Sequence, residues 1–373
     1  MTRLFVDVHV LQTVPPSNIN RDDTGSPKSA VYGGARRARV SSQAWKRATR
    51  QAFRELVDPN SLGVRTKRIV ELVADRIGDS IKDPEARLAA ATAVVKETGI
   101  GLEKPKKKGE DVDTVDRSKY LVFLSANQIQ RLADLAVSAD ANDTKIDKAA
   151  AKAAANGADS IDVALFGRMI ADAADLNVDA AAQVAHALSV HAVNNEFDYY
   201  TAVDDRAPED SAGAEMIGVV EFNSSTLYRY ATVNIAMLEK NLGDAEATAH
   251  AVGAFLEAFT RSMPTGKQNT FANRTLPDAV LISVRTDQPV NLVTAFEEPV
   301  NAVGAARSAA AAKALVDRYN EIESSFGNGE TTNFVVATGE GRDSYAGIAA
   351  PVTLSAAVAG TVERVRTALG VSS

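Results

Sequence analysis

Eight basic side chains fall between residues 28 and 54 with no carboxylate among them: Lys28, Arg36, Arg37, Arg39, Lys46, Arg47, Arg50 and Arg54. The chain as a whole is acidic, with 41 Lys+Arg against 48 Asp+Glu and a net charge of −7. Without this window the balance would be 33 against 48, a net of −15. Uncompensated cations concentrated in this way build an anion site, and the polyanion that clustered arginine most often meets is a nucleic-acid backbone. Spacing strengthens the reading. Lys46, Arg50 and Arg54 stand at i, i+4 and i+8, so they share one helix face, with Arg47 beside them. Gly33 and Gly34 let the backbone approach a ligand closely. Ser41 or Ser42 can open a helix whose first N–H groups are unpaired and sit at the positive end of its dipole. The plainer alternative is a solvated basic helix face; the absence of any neutralising carboxylate weighs against it.

Other chemistry finds less support. The chain has no cysteine, which excludes disulfides, thiolate nucleophiles and thiolate metal sites. Its four histidines are His9, His186, His191 and His250. His186 and His191 are read here as lying on one helix, where a separation of five keeps them off a common face. With no His-x-x-x-His pair, a zinc site has no ligand set. His9 lies on the first strand, where a core role is the default. Gly266–Lys267 lacks the Ser/Thr of a P-loop, since Gln268 follows it and Arg261 stands where the first glycine belongs. Asp22 and Asp23 form the best carboxylate pair, but chain neighbours point apart, and the pair is equally explained by shaping its loop. Asp204 and Asp205 read as turn residues. Lys145, Lys148 and Lys152 fall at i, i+3 and i+7; they could hold DNA non-specifically or form a solvated face. The lysines at 104 and 106–108 are flanked by Glu103, Glu110, Asp111 and Asp113 and read as a solvated loop.

The elements that must position these residues follow from periodicity. Residues 3–13 alternate and are rich in β-branched side chains, which predicts a strand. Residues 14–34 carry Pro, Gly, Asn and Asp and are expected to hold no regular element. A helix is expected from Ser41 or Ser42, with Trp45, Ala48, Ala52, Phe53 and Leu56 on its apolar face. From 60 to 196 the pattern is helical nearly throughout, with helices expected at 61–78, 84–98, 124–138, 143–156, 160–176 and 179–193. Strands are expected at 196–203 and 216–235 around a polar tip, then a helix from Asp244 to about Ser262 and a strand at 279–285. The last 75 residues read as further helix. The fold class is α+β: without the helical insertion the order is βαββαβ, the ferredoxin-like arrangement used by RNA-recognition domains. No apolar run approaches the roughly 20 residues that cross a bilayer, and the N-terminus lacks a signal-peptide pattern, so a cytoplasmic location and no membrane partner are expected.

Several blocks then resemble a known family. They are FVDVHVL (5–11), PSNINRDD (16–23), the run from Tyr32-Gly33-Gly34 through Ser41-Ser42-Gln43 to Lys46-Arg47, FGRM (166–169), YYTAVDD (199–205), EFNSSTLYRYATVNI (221–235) and GKQ (266–268). In this order they are similar to the CasC family, the backbone (RAMP-type) subunit of the type I-E CRISPR Cascade complex. The resemblance spans about residues 4 to 275.

The resemblance implies a non-catalytic RNA-binding protein, without a cofactor, whose copies stack head to tail along one CRISPR RNA. The RNA stays displayed for pairing with invading DNA, and other Cascade subunits complete the assembly. It implies an RRM-like palm (1–59 and 227–373), helical fingers (60–196) and an extended β-hairpin thumb (197–226). Arg21 resembles a phosphate contact; Ser41, Gln43, Lys46, Arg47 and Arg50 resemble helix-start contacts to the RNA backbone. Met169 resembles a wedge beside the bases, with Arg168 adding charge. Tyr200, Thr201 and Val203 lie at the thumb base, and Lys267 and Gln268 resemble a second phosphate-contacting loop. Such contacts are neutral to sequence, which is left to base pairing. The rival reading is a metal-dependent ribonuclease of related RAMP fold using the Asp22/Asp23 loop.

Overall fold

The computed structural model describes residues 3–104, 115–157, 159–202, 216–302, 304 and 306–371. Strand β1 (Phe5–Ser17) is flanked on both sides by longer-range partners. It is buried almost throughout, so its apolar run serves two faces rather than one. A hairpin follows, β2 (Ser29–Tyr32) inside the segment expected to be irregular and β3 (Ala35–Val40) directly after it. The glycines responsible for that expectation are its two-residue turn. Gly33 and Gly34 have φ of +57° and +73°, the pairing of positive angles that suits a tight hairpin. A Cβ on Gly33 would lie 1.6 Å from the Glu297 carbonyl oxygen, so only glycine fits.

Helix α1 (Ser42–Leu56) starts where the capping residues predict. The Ser41 hydroxyl accepts from the Ala44 N–H, and Trp45, Ala48, Thr49 and Phe53 form the buried face. The helical insertion is more broken than its periodicity suggests. The stretch 61–78 is a 3₁₀ turn, strand β4 (Gly63–Thr66) and helix α2 (Ile69–Ile77). Then come α3 (Pro84–Glu97), the short pair β5 (Leu102–Glu103) and β6 (Arg117–Ser118), β7 (Val122–Ser125), and α4 (Ala126–Ala141), which opens with a Ser125/Gln128 capping box. Helix α5 (Lys148–Ala155) begins at Lys148, so Lys145 lies before it and the three lysines do not share one helix face. Helix α6 (Ile161–Phe166) ends after six residues at Gly167, whose φ is +77°. Helices α2 to α5 close over their own core of Val70, Val73, Val94, Leu132 and neighbours, while Ile161, Ala164 and Leu165 of α6 join the main core.

The helix expected at 179–193 is instead strands β8 (Ala182–Val184) and β9 (Ala187–Ser189). Alanine favours helix, but that is a weak prior, and pairing with the main sheet overrides it. His186 and His191 are therefore not on a helix. Strand β10 (Glu196–Ala202) pairs with the long β11 (Met216–Asn234), followed by α7 (Ile235–Leu242), α8 (Ala245–Arg261, capped by Asp244), the single turn α9 (Gln268–Phe271) and β12 (Ala279–Arg285). The C-terminal part contains α10 (Arg307–Phe326), a strand that periodicity does not reveal, β13 (Thr331–Ala337), and α11 (Leu354–Leu369).

The main sheet runs β13-β12-β1-β11-β9-β3-β2, with β8 and β10 also paired to β11. Its centre is antiparallel: Val8 lies opposite Ala231 on β11 and Ile282 on β12. One face carries Val6, Val8 and Val10 against Trp45, Phe53, Phe255 and Phe259 of α1 and α8, with α11 outside. The other carries Leu11, Tyr228 and Tyr230 against Phe296 and Leu315. The result is a mixed helix-and-sheet protein in three layers, with α1 anchored by its apolar face and its basic face turned outward. No helix among the described residues is long and apolar enough to cross a membrane.

Candidate nucleic-acid interface

Burial of Trp45 and Phe53 under α1 leaves Gln43, Lys46, Arg47, Arg50, Gln51 and Arg54 along one wall of an open trough of 960 Å³. The β4–β7 ribbon forms the facing wall. Its register sets Arg65 directly across from Phe123, and Leu121 continues the same side. The turn after α6, from Phe166 to Met169, and residues 177–180 also line it. Met169 is 83% exposed, a conformation that burial cannot explain.

The cations are not equivalent. Arg50 is half-buried, with Nε 3.4 Å from Asp162 Oδ2 and its guanidinium 4.6 Å from the centre of the Phe123 ring. Asp162 Oδ1 in turn accepts from the Gly63 N–H and the Ser160 hydroxyl, each at 2.8 Å. Burial raises the Asp162 carboxyl pKa, while the bonds from Ser160 and Gly63 and the charge of Arg50 pull it down. Burial alone lowers the basicity of Lys46, whose ammonium lies 5.8 Å from the Phe166 ring centre. Arg47, Arg54 and Arg65 are exposed and have no carboxylate partner among the described residues.

Two expected site residues serve the fold instead. Arg168 is buried: Nε donates to the Leu176 carbonyl at 2.6 Å, and Nη1 donates to Gln128 Oε1 at 2.9 Å and lies 3.6 Å from Asp159. It staples the α6 turn to α4 from within the lining of the trough. Ser41 is buried, with its hydroxyl engaged as the α1 cap and its N–H donated to Asn20 Oδ1 at 2.8 Å. Within the basic window, Arg37 is 0% exposed and is held by the carbonyls of Tyr32, Ser189, Phe296 and Glu297. Arg39 donates to the Ser29 carbonyl. The window thus splits into a hairpin half, partly structural, and a helix half that lines the trough.

The Asn20–Ser41 bond sets the Arg21 loop against the start of α1. Residues 19–25 and Gly266 line a second, shallower hollow of 560 Å³. The Gly266 backbone packs so tightly on the Ile19 carbonyl that a Cβ would come within 2.4 Å of its oxygen. Exposed Arg21 and half-buried Lys267 and Gln268 are thereby brought to one region from distant parts of the chain. Asp22 shapes this loop: its Oδ1 accepts from Thr24 N and Oγ1 and from Ser26 N, and the Thr24 bond leads in lowering its carboxyl pKa.

Tyr200 and Thr201 are exposed on β10, with the Tyr200 ring over Gly218; Val203 lies outside the described residues. Lys152 pairs with Asp175, while Lys145 and Lys148 are exposed. His9 is buried and bonded to Tyr228 at 2.9 Å. Among the described residues no group of three or more His, Asp or Glu could hold a metal ion. Sequence reasoning missed Arg65, Phe123 and Asp162. Arg65 stands in a short basic run with Lys67 and Arg68, but Phe123 and Asp162 have no such signal, and only the fold sets all three beside α1.

A family model described as CT1975-like protein matches residues 6–359. Among solved structures, a chain described as "CRISPR RNA-guided surveillance complex, pre-nicking" is 34% identical, with 97% of this chain and 100% of that chain covered and a TM-score of 0.85. A second, described as "CRISPR RNA-guided surveillance complex", is 31% identical over 96% of this chain and 99% of that one, with a TM-score of 0.72. No curated protein matches the chain.

Proposed function

The chain belongs to the CT1975-like protein family, and from that premise we propose that it is a non-catalytic, CRISPR RNA-binding backbone subunit of a type I-E Cascade surveillance complex. Copies polymerise head to tail along the guide RNA in the cytoplasm, beside other Cascade subunits, and present the bases for pairing with invading DNA. The observation that carries this reading is the trough: exposed, carboxylate-free Arg47, Arg54 and Arg65 ring a half-buried Lys46 and Arg50 along a groove open to solvent. Point charges of this kind reach phosphates whatever the base, as a subunit that must hold any guide requires.

The architecture supports the same reading. The order β1, α1, β9, β11, α8, β12 closes on one antiparallel sheet with both helices on one face, as an RNA-recognition-like palm would. The helical insertion with its own core suits the fingers, and the β10–β11 hairpin suits the thumb. The metal-dependent ribonuclease reading through Asp22 and Asp23 has less behind it, because Asp22 is engaged by its own turn. The test is the RNA that accompanies the protein on purification from cells carrying a CRISPR array. A discrete species of uniform length is expected, and a broad mixture without repeat sequence would contradict the proposal.

A further inference from the structure

Strand β11 changes partner part-way along. From Asn223 onward it pairs with β1, in a ladder whose register breaks between Val14 and Ser17. Before that point Phe222 and Glu221 pair instead with Glu196 and Phe197 of β10. The hairpin therefore leaves the main sheet at a single step of one strand, beside a bulge, and the side chains at that corner must fix its direction.

Those side chains form a connected set. Half-buried Glu221 accepts at Oε1 from the Ser26 hydroxyl and at Oε2 from Asn195 Nδ2, each at 2.9 Å. Ser26 closes the Arg21 loop: its carbonyl accepts from the Asp22 N–H at 2.9 Å, and its own N–H donates to Asp22 Oδ1 at 3.0 Å. Asn195 immediately precedes β10, and its Oδ1 accepts from Asn223 Nδ2 at 3.1 Å. Buried Asn18 donates from Nδ2 to the carbonyls of Gly25 and Glu221, both at 2.9 Å. Phe222 packs on Phe271, with 5.6 Å between ring centres, which brings the α9 turn to the same corner.

Both Glu221 oxygens are met by neutral donors, and the loop they fasten carries exposed Arg21. A bare carboxylate so near a phosphate contact would repel the phosphate and weaken RNA binding. An ionised acceptor, however, strengthens both hydrogen bonds and holds two separate pieces of chain in one arrangement. We propose that Glu221 is a positioning residue that ties the Arg21 loop to the root of the β10–β11 hairpin, so that loop and hairpin meet the RNA backbone as one unit. The assignment rests on the RNA-binding reading above and adds to it residues outside the proposed phosphate contacts.

The test compares wild type with S26A, N195A, E221A, E221Q and R21A in two measurements. The first is amide hydrogen exchange of the free protein over segments 20–27 and 195–200. S26A cuts the loop arm and N195A the hairpin arm. A coupled corner makes each variant exchange faster in the segment that was not mutated, by roughly fivefold, as for one hydrogen bond lost. Effects confined to the mutated segment would overturn the coupling. The second measurement is affinity for a single-stranded RNA against salt. E221A should bind about fivefold more weakly at ~0.1 M salt, with a slope lowered by about 0.7, as for one lost single-strand phosphate contact. R21A should show the same loss, and the E221A/R21A double variant no more than either. E221Q, which keeps an acceptor oxygen, should fall between E221A and wild type. Wild-type or tighter binding by E221A, or a further loss in the double variant, would overturn the positioning role. If wild type itself binds no RNA, the RNA-binding reading fails and the positioning role falls with it, whatever the exchange shows. An unchanged thermal transition shows that a variant is folded. Ser26 lies in a surface loop, so S26A carries the same salt-slope expectation if E221A does not fold.

Discussion

Asp162 is buried, and its carboxylate is satisfied by one cation, one hydroxyl and one backbone N–H. Removing it leaves Arg50 partly buried without its counter-charge and leaves the Gly63 N–H unpaired. Asp162→Ala should therefore cost about 2–4 kcal/mol of stability, read as the shift in urea midpoint, and Asp162→Asn distinctly less, because the amide oxygen still accepts. Equal losses for the two variants would show that the hydrogen bonds Asp162 accepts contribute nothing beyond its charge. A second buried carboxylate makes a pH prediction. Asp7 accepts from the Tyr230 hydroxyl and the Val290 N–H, yet burial dominates and raises its pKa to about 6. The folded state thus holds its proton in the window from 3.8 to about 6 in which the unfolded chain has released it, so the Asp7 contribution to stability falls as pH rises through that window. Asp7→Asn, which mimics the protonated form, should gain on wild type by roughly 2.5 kcal/mol between pH 4 and pH 7.5. A difference between the two proteins that does not change with pH would contradict the burial argument. Asp162 carries no local signal, and the basic run at Arg65, Lys67 and Arg68 does not show that Arg65 faces α1, because both placements depend on partners far along the chain. Lys46 and Arg47 were legible because a helix face is fixed by spacing alone.

At the scale of elements, the Gly33–Gly34 turn separates two kinds of glycine. Both have positive φ, but a Cβ on Gly33 would strike the Glu297 carbonyl whereas one on Gly34 meets open space. Gly34→Ala should cost about 1–2 kcal/mol, the strain of the left-handed backbone. Gly33→Ala should cost well over ~3 kcal/mol or prevent folding, since the 3₁₀ segment at Leu292–Phe296 must also move. Similar unfolding midpoints for the two would remove the steric argument. This hairpin also shows why part of the fold was hidden. Strand β1, helix α1, helix α8 and strand β12 have local periodicity or caps and were legible. Strands β8 and β9 are three residues each, and β13 follows no apolar alternation; all three exist because distant backbone pairs with them, while β2 is set by the glycine turn to β3.

For the whole molecule, the proposed function divides the labour between the acidic body, which would limit indiscriminate coating of polyanions, and the cationic trough, which would set the RNA path. The proposed assembly assigns spacing between copies to the β10–β11 hairpin. Deleting 205–215 should leave the monomer's thermal transition near that of wild type, because the cores lie elsewhere, and should shorten or abolish the RNA-borne oligomer seen by light scattering. Normal-length oligomers from the deletion would refute the hairpin's role. The central claim is that the trough holds RNA by its phosphates without regard to sequence. It is tested most directly by measuring the affinity of wild type and K46A/R47A for several guide RNAs of unrelated spacer sequence over a range of salt. The account predicts the same fold-loss for each RNA and a salt slope reduced by about 1.4. A loss that differs from one spacer to the next, or an unchanged slope, would contradict it.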